Sequence, residues 1–108
     1  MLRTKSQRNT LCRKCPVARV ADTFGDPCAL LIMHNLLGAP RRFGELEDLL
    51  GGISPRTLTK TLRRLEAKGF ITRTHFKKPM RFHYELTSKG KAFQNVVAAM
   101  RAYGKAHL

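Results

Sequence analysis

Basic and hydroxyl side chains recur on one side of a single helical segment, and they form the strongest chemical pattern in the sequence. At about 100° per residue they fall opposite or beside a stripe of leucines. The members of this face are Arg56, Thr57, Thr59, Lys60, Arg63 and Arg64. Guanidinium, ammonium and hydroxyl groups bind phosphate oxygens and base edges. The face therefore predicts contact with a polyanion, although the solvated side of an ordinary amphipathic helix has the same pattern.

Two cysteines form a second pattern that could do chemistry. Cys12 and Cys15 have the C-x-x-C spacing of thioredoxin-like redox pairs and of half a zinc site. A thioredoxin-like site needs a βαβ context, which the sequence does not offer, and a zinc site needs a second pair of ligands. The four histidines are widely spaced, and His34 is expected to be buried and hydrogen-bonded within a helix. The sequence thus predicts no metal site, no cofactor and no enzymatic centre.

Composition indicates one small domain with an acidic partner. The chain has 108 residues, 43% of them apolar, and 21 Lys and Arg against 7 Asp and Glu give a formal net charge of +14. Such an excess implies nucleic acid or an anionic membrane surface. The longest apolar run, Cys28 to Met33, is far too short to span a bilayer. With no signal sequence and three cysteines, the chain is expected in the reducing cytoplasm, associated with the nucleoid.

The basic face needs a rigid helix behind it, and the sequence provides the signals for one. Ser54 is a good N-cap, Pro55 suits the first helical position, and Gly69 can end the helix. The stripe opposite the basic face consists of Leu58, Leu62 and Leu65. Because these leucines repeat at helical spacing, they are expected to be buried. Ser54 is also expected to meet a phosphate.

The neighbouring segments predict a helix-turn-helix followed by a β-hairpin. A brief helix from Glu45 to Leu50, capped by Gly44, precedes the tight turn Gly51-Gly52-Ile53. After Gly69 the pattern changes to alternation, with strands at 70–74 and 81–86. A hairpin in this place is a wing. Its basic residues, expected beside a phosphate backbone, are Lys77, Lys78 and Arg81.

The remaining segments supply the core and an apolar surplus. Residues 1–11 are expected to be a flexible basic arm, and residues 12–108 the domain. A first helix starts at Pro16, an apolar central helix covers 28–37, Arg41 to Phe43 could be an edge strand, and a last helix capped by Thr87 or Ser88 runs to about Lys105. Its apolar arc exceeds what a small core needs, which suggests a partner subunit. The residues expected at a dimer interface are Val17, Val20, Phe24, Phe93, Val96, Val97, Met100 and Tyr103.

Taken together, these residues resemble the HxlR family of winged helix-turn-helix regulators over about Cys15 to Tyr103. The matching segments are Cys15-Pro16-Val17, Leu30-Leu31-Ile32, Arg41-Arg42-Phe43, Glu45-Leu46, Gly52 to Leu58 followed by Leu62, Leu65-Glu66 and Gly69, and then Tyr84 to Thr87 and Lys89-Gly90. At Asp26-Pro27-Cys28-Ala29 the chain departs from the family, which usually has a basic or polar residue followed by tryptophan.

The resemblance implies a fold, a partner and a function. The fold is mainly α with a small β-hairpin, a single winged helix-turn-helix domain that dimerises through its first and last helices. The partner is double-stranded DNA, with the recognition helix in the major groove and the wing on the minor groove or backbone. The function is that of a homodimeric transcriptional regulator acting on a near-palindromic operator, with its effector unknown.

Cys15 is a candidate redox- or electrophile-sensing thiol, with Cys12 as a possible resolving partner. It stands at a helix N-terminus, and Arg13, Lys14 and Arg19 lie nearby, so a thiolate is favoured. One branch of the family senses oxidants through a cysteine at the Cys-Pro-Val position, which this chain resembles. The alternative is that Cys15 only caps the helix and packs near the interface.

Two other functions remain open from the sequence. Composition alone would permit a basic RNA-binding or ribosome-associated protein, which should expose aromatic residues for base stacking. The chain has no Trp, and its Phe and Tyr mostly fall at positions expected to be buried. A small thiol oxidoreductase is the third candidate, and the missing βαβ context argues against it.

Overall fold

The computed structural model describes residues 15–76 and 81–108, with only the backbone described at positions 76 and 81. Within these ranges the chain forms six helices and one two-stranded antiparallel sheet. Their order is α1 (Pro16–Phe24), α2 (Pro27–Gly38), α3 (Phe43–Leu50), α4 (Pro55–Ala67), β1 (Ile71–Phe76), β2 (Arg81–Leu86), α5 (Ser88–Lys91) and α6 (Gln94–His107). This is a winged helix-turn-helix, mainly α with a small hairpin, as the sequence predicts.

The helix-turn-helix consists of α3, a glycine turn and α4. Gly51 and Gly52 both have positive φ, at 45° and 81°, so the turn between the helices uses backbone that side chains disfavour. Ser54 caps α4, because its Oγ accepts a hydrogen bond from the N–H of Thr57 at 3.1 Å. Gly69, with φ 82°, lies just beyond the other end. The predicted start and stop signals of this helix are confirmed.

The helix α3 begins earlier than expected. Gly44 was predicted as its N-cap, but Arg42 takes that position and Phe43 is the first helical residue. The reason is the side chain of Glu45, whose Oε1 accepts the N–H of Arg42 at 2.9 Å. This bond satisfies the N–H of Arg42 at the start of the helix. Gly44 has no side chain and could not provide an equivalent cap.

The wing is the β1–β2 hairpin, which pairs in register from Ile71 with Leu86 to Phe76 with Arg81. The first strand extends to Phe76, beyond the expected end at position 74. The edge strand expected at Arg41 to Phe43 shrinks to one isolated bridge: Arg41 and Tyr84 exchange N–H to carbonyl bonds of 3.0 and 2.7 Å. Because Phe43 already belongs to α3, no room is left for a longer third strand.

The core lies around α2 and the inner side of α4. Its fully buried side chains in the described residues are Ala29, Ile32, Met33, Leu46, Leu58, Leu62, Leu65 and Ile71. The expectation that α2 occupies the centre of the domain is therefore confirmed. His34 was expected to be buried and is exposed instead, since it lies on the side of α2 where a groove opens toward α6.

The last helix is divided. Thr87 caps α5, accepting the N–H of Gly90 at 3.2 Å, but α5 ends at Lys91 and α6 starts at Gln94. Phe93 stands in the break and points into the core, with its ring centroid 4.4 Å from that of Phe24. Both residues of the break, Ala92 and Phe93, keep right-handed backbone angles, so it is a tightened turn.

Three predictions concern segments beyond the described part of the chain: the basic arm at 1–11, Cys12 as a resolving thiol, and the wing tip with Lys77 and Lys78. Among the described residues, no helix combines the length and apolarity that crossing a bilayer would require.

Candidate nucleic-acid interface

The outer side of α4 presents a continuous basic face. Arg56, Lys60 and Arg63 are exposed, and with Pro55 and Thr59 they line one shallow depression along the helix. Thr57 is also exposed. None of the three cations forms an ion pair with any residue in the described ranges. Their charge is therefore available to an external anion.

Buried leucines hold this face rigidly from behind. Leu58, Leu62 and Leu65 are at most 1% exposed, and Thr61 donates its hydroxyl to the carbonyl of Thr57 at 2.9 Å. Ser54 is exposed, but its hydroxyl already donates to Oγ1 of Thr57 at 2.9 Å. The N-terminal turn of α4 is thus fixed by its own side chains. A phosphate there would meet an ordered hydroxyl pair.

Arg64 differs from the other predicted cationic contacts on α4, because it forms an ion pair within the protein. Its Nη2 donates to Oδ1 of Asp26 at 2.8 Å, across 38 positions of the chain. The other carboxylate oxygen of Asp26 accepts the N–H of Ala29 at 3.0 Å and so caps α2. The prediction of Arg64 as a DNA contact assumes a free side chain, and here its guanidinium is engaged within the protein.

The pKa of Asp26 reflects these contacts. Burial raises the pKa of its carboxyl, but the N–H of Ala29 and the guanidinium of Arg64 outweigh burial, and the pKa lies below its ordinary value. The carboxylate is thus ionised at neutral pH, as an ion pair requires.

A second ion pair attaches the wing to α4. Nε of Arg73 on β1 donates to Oε2 of Glu66 at 3.1 Å, and the same guanidinium lies 5.7 Å from the centroid of the Phe82 ring. The hairpin is therefore anchored to the C-terminal part of α4. Lys77 and Lys78 lie outside the described residues, and for Arg81, the first residue of β2, the structure describes the backbone alone.

The residues expected at a dimer interface divide into two groups. Phe24, Phe93 and Val97 are buried in the chain's own core, where Phe24 contacts both Phe70 and Phe93. The monomer itself already covers these three side chains, so they are core residues of this chain. The other group remains exposed: Val17, Val20, Val96, Met100 and Tyr103.

The cysteines occupy unequal positions. Cys15 is exposed and stands at the N-cap of α1, but its side chain makes no capping hydrogen bond. Cys28 is half-buried and packs against the core. Cys12 lies outside the described residues. Within the described ranges, no three His, Cys, Asp or Glu side chains cluster closely enough to hold a metal ion.

Sequence reasoning missed the two ion pairs around α4. Asp26 could be read as an N-cap from the Asp-Pro signal, but nothing local indicates that its second oxygen binds a residue 38 positions away. Glu66 and Arg73 are closer in sequence, with a helix end and a turn between them. Only the packing of α2, α4 and β1 brings these charges together.

The proteins that are similar in sequence to this chain are named as HTH-type transcriptional regulators. The chain is 38% identical over 91 residues to sll1512 of Synechocystis, named an uncharacterised HTH-type transcriptional regulator, covering 83% of this chain and 67% of that protein. It is 33% identical over 96 residues to the HTH-type transcriptional regulator YodB of Bacillus subtilis, covering 88% of this chain and 84% of YodB.

Solved structures agree with the fold. The reduced form of YodB superimposes with a TM-score of 0.75 at 32% identity, over 86% of this chain and 93% of YodB. The reduced form of the redox regulator HypR gives 0.79 at 28% identity, over 85% of this chain and 92% of HypR. These relatives are transcriptional regulators and not enzymes. The model of the HxlR-like helix-turn-helix family matches residues 24–108, and the chain belongs to this family of DNA-binding transcriptional regulators.

Proposed function

We propose that this chain recognises a specific double-stranded operator as a homodimer, with α4 in the major groove of each half-site. The observation that carries the proposal is the basic face of α4. It combines three exposed cations that have no ion pair in the described part of the chain with a leucine stripe that is fully buried. A rigid helix that presents unpaired Arg and Lys can make bidentate contacts with base edges.

The proposed base contacts are Arg56, Thr57, Thr59, Lys60 and Arg63. Ser54 and the basic wing residues Lys77, Lys78 and Arg81 are proposed to meet phosphates, which position the protein without reading sequence. The Glu66–Arg73 pair supports this arrangement, because it holds the wing beside α4. Arg64 is left out of this set, because Asp26 already binds its guanidinium.

Exposed apolar side chains on α1 and α6 support the homodimer. On α6, Val96, Met100 and Tyr103 are 37, 46 and 63% exposed, and they line a depression of about 640 Å³. On α1, Val17 is 76% exposed. Apolar surface of this extent is costly to leave in water and is typical of a covered interface. We propose that a second copy of the chain packs on this surface. The protein is further proposed to act on the nucleoid in the cytoplasm.

Selection of binding sites from random duplex DNA tests this function. The purified protein is expected to enrich a near-palindrome whose half-sites lie about one or two helical turns apart, since a two-fold dimer repeats its contacts. Light scattering without DNA should give the mass of a dimer at micromolar concentration.

Competition at matched salt separates DNA from RNA recognition. Poly(dI-dC) should displace the selected duplex only at large excess, and structured RNA should be no better a competitor. A monomer in light scattering together with an asymmetric motif would contradict the dimer. Stronger competition by RNA than by nonspecific DNA would favour the RNA-binding alternative.

We also propose that oxidants or electrophiles regulate operator binding through Cys15. Its thiol is exposed and free of any capping role in the described structure, and it precedes α1, which carries Val17 and Val20 of the proposed interface. Among the similar solved structures are YodB after treatment with diamide and the redox regulator HypR in its oxidised form. Modification at Cys15 would disturb α1 and thereby the spacing of the recognition helices.

Operator binding before and after diamide tests this regulation. Diamide takes two electrons and two protons from two thiols as a disulfide forms, with Cys12 or a thiol of the second copy as the partner. Wild-type affinity should change by about tenfold, within the usual range of coupling between sites. Cys15→Ser should not respond, whereas Cys28→Ser, the control, should respond like wild type. Equal responses of wild type and Cys15→Ser would end the hypothesis.

A further inference from the structure

We propose that the Asp26–Arg64 ion pair is a positioning device that fixes the orientation of the recognition helix relative to α1 and α2. The inference rests on the proposed function, because orientation matters only if two α4 helices must match two half-sites. Arg64 is accordingly a positioning residue and not a DNA contact.

The carboxylate of Asp26 connects two elements with its two oxygens. Oδ2 accepts the N–H of Ala29 at 3.0 Å and fixes the start of α2, while Oδ1 accepts from Nη2 of Arg64 at 2.8 Å. Arg64 lies in the last turn of α4. One side chain thus ties the junction between α1 and α2 to the C-terminal end of the recognition helix.

This junction is mechanically linked to the proposed dimer surface. Phe24, the last residue of α1, packs its ring on Phe70 at 4.9 Å and on Phe93 at 4.4 Å between centroids. Phe70 lies just beyond the end of α4, after Lys68 and Gly69, and Phe93 directly precedes α6. Asp26 comes two residues after Phe24, so its bond to Arg64 joins α4 close to the ring cluster that links α1 with the residues before β1 and α6. The ion pair can transmit the placement of the dimer helices to α4.

The pair is poorly suited to stabilise the fold. Both side chains are about 40% exposed (40% for Arg64, 41% for Asp26), and exposed pairs contribute little because water screens them. In addition, Nε of Arg64 is buried with no acceptor among the described residues, which has an unfavourable desolvation cost. A contact that adds little stability and still fixes one geometry fits a positioning role.

The other side of α4 is fixed by a separate contact. Arg64 binds Asp26, and two residues later Glu66 binds Arg73 of β1. The end of the recognition helix is therefore held between α2 and the wing. Loss of the Asp26 contact leaves the wing attached and removes one restraint between the end of α4 and the start of α2.

Binding to duplexes with altered half-site spacing tests the proposal. The probes are the duplex selected by wild type and versions with the spacer lengthened or shortened by one base pair. Wild type should bind the original spacer best. In Asp26→Asn and in Arg64→Gln, the ratio of the affinity for the original spacer to that for an altered spacer should fall by about tenfold. The double variant should lose no more than either single variant, because both remove one contact.

Asn and Ser retain an acceptor for the N–H of Ala29, so Asp26→Asn and Asp26→Ser keep the cap of α2 and should fold. Arg63→Gln is the matched control: this exposed neighbour has no ion pair in the described chain, and it should weaken binding equally at every spacing. Urea unfolding of each variant reports any purely structural effect.

The outcomes separate three roles for Arg64. If Arg64→Gln weakens all spacings equally and Asp26→Asn changes none, Arg64 is a DNA contact and the proposal is wrong. If both variants lower only the urea midpoint and keep the spacer preference, the pair is merely structural and the proposal is also wrong. A wild type that enriches no duplex would overturn the proposed function itself.

Discussion

Gly90→Ala is expected to lower the free energy of unfolding by about 2–4 kcal/mol, the upper part of the range for overpacking a filled site. A Cβ at this position would overlap the backbone carbonyl oxygen of Phe70 and come within 3.1 Å of Cδ2 of Leu86. The carbonyl cannot move away cheaply, because it accepts the N–H of Thr87 at 3.1 Å. Alanine's better helix propensity regains less than about 1 kcal/mol. Urea unfolding, with unchanged m-value, measures the loss.

Gly44→Ala is the matched control for this prediction. Gly44 lies in the first turn of α3, and a Cβ there meets nothing within 4 Å. Its free energy of unfolding should stay the same or rise slightly, because alanine restricts the unfolded chain. Equal effects of the two substitutions would show that Gly90 of α5 does not pack closely against the backbone of Phe70.

The close packing at Gly90 has a functional consequence. Thr87 donates its hydroxyl to the carbonyl of Gly69, and Nζ of Lys89 donates to the carbonyl of Lys68 at 2.9 Å. The same ammonium lies 4.4 Å from the centroid of the Phe70 ring. The start of α5 thus satisfies the open C-terminal carbonyls after α4. The C-terminal end of α4, which we propose to read DNA, is thus fixed by the segment that follows the wing.

The parts of the fold that local chemistry determines were predictable from the sequence. The bounds of α4 follow from Ser54, Pro55 and Gly69, and those of β2 from strict alternation, and both are confirmed. The basic face of α4 follows from the same period, since Leu58, Leu62 and Leu65 must be buried.

What could not be predicted depends on contacts between distant segments. Phe24 and Phe93 look like surplus apolar surface in the sequence, but their rings pack on each other within the monomer. Arg64 belongs to the basic face by its spacing, but Asp26 removes it. His34 sits in an apolar helix, and only the groove beside α6 explains its exposure. Periodicity tells which side of a helix is apolar, and it does not tell which element covers that side.

Arg56→Ala and Lys60→Ala are each expected to weaken operator binding by about 1–3 kcal/mol, or about 5- to 150-fold, and to relax specificity at the base pairs they read. Both side chains are exposed and line the same depression on α4. Neither has an ion pair in the described part of the chain, so no internal partner is left unsatisfied by the change. Gel-shift titration on the selected duplex and on its single-base variants measures both effects.

Arg101→Ala is the control for loss of charge alone. Arg101 is an exposed cation on α6 that lines a groove with Leu30 and His34 of α2, away from the basic face of α4. It should leave the ranking of duplexes unchanged.

Lys77→Ala, in the wing, should weaken all duplexes alike and reduce the slope of log affinity against log salt by about one charge. Operator affinity that survives both Arg56→Ala and Lys60→Ala would contradict the assignment of these two side chains as base contacts, because an exposed cation that reads a base edge cannot be removed without loss of binding.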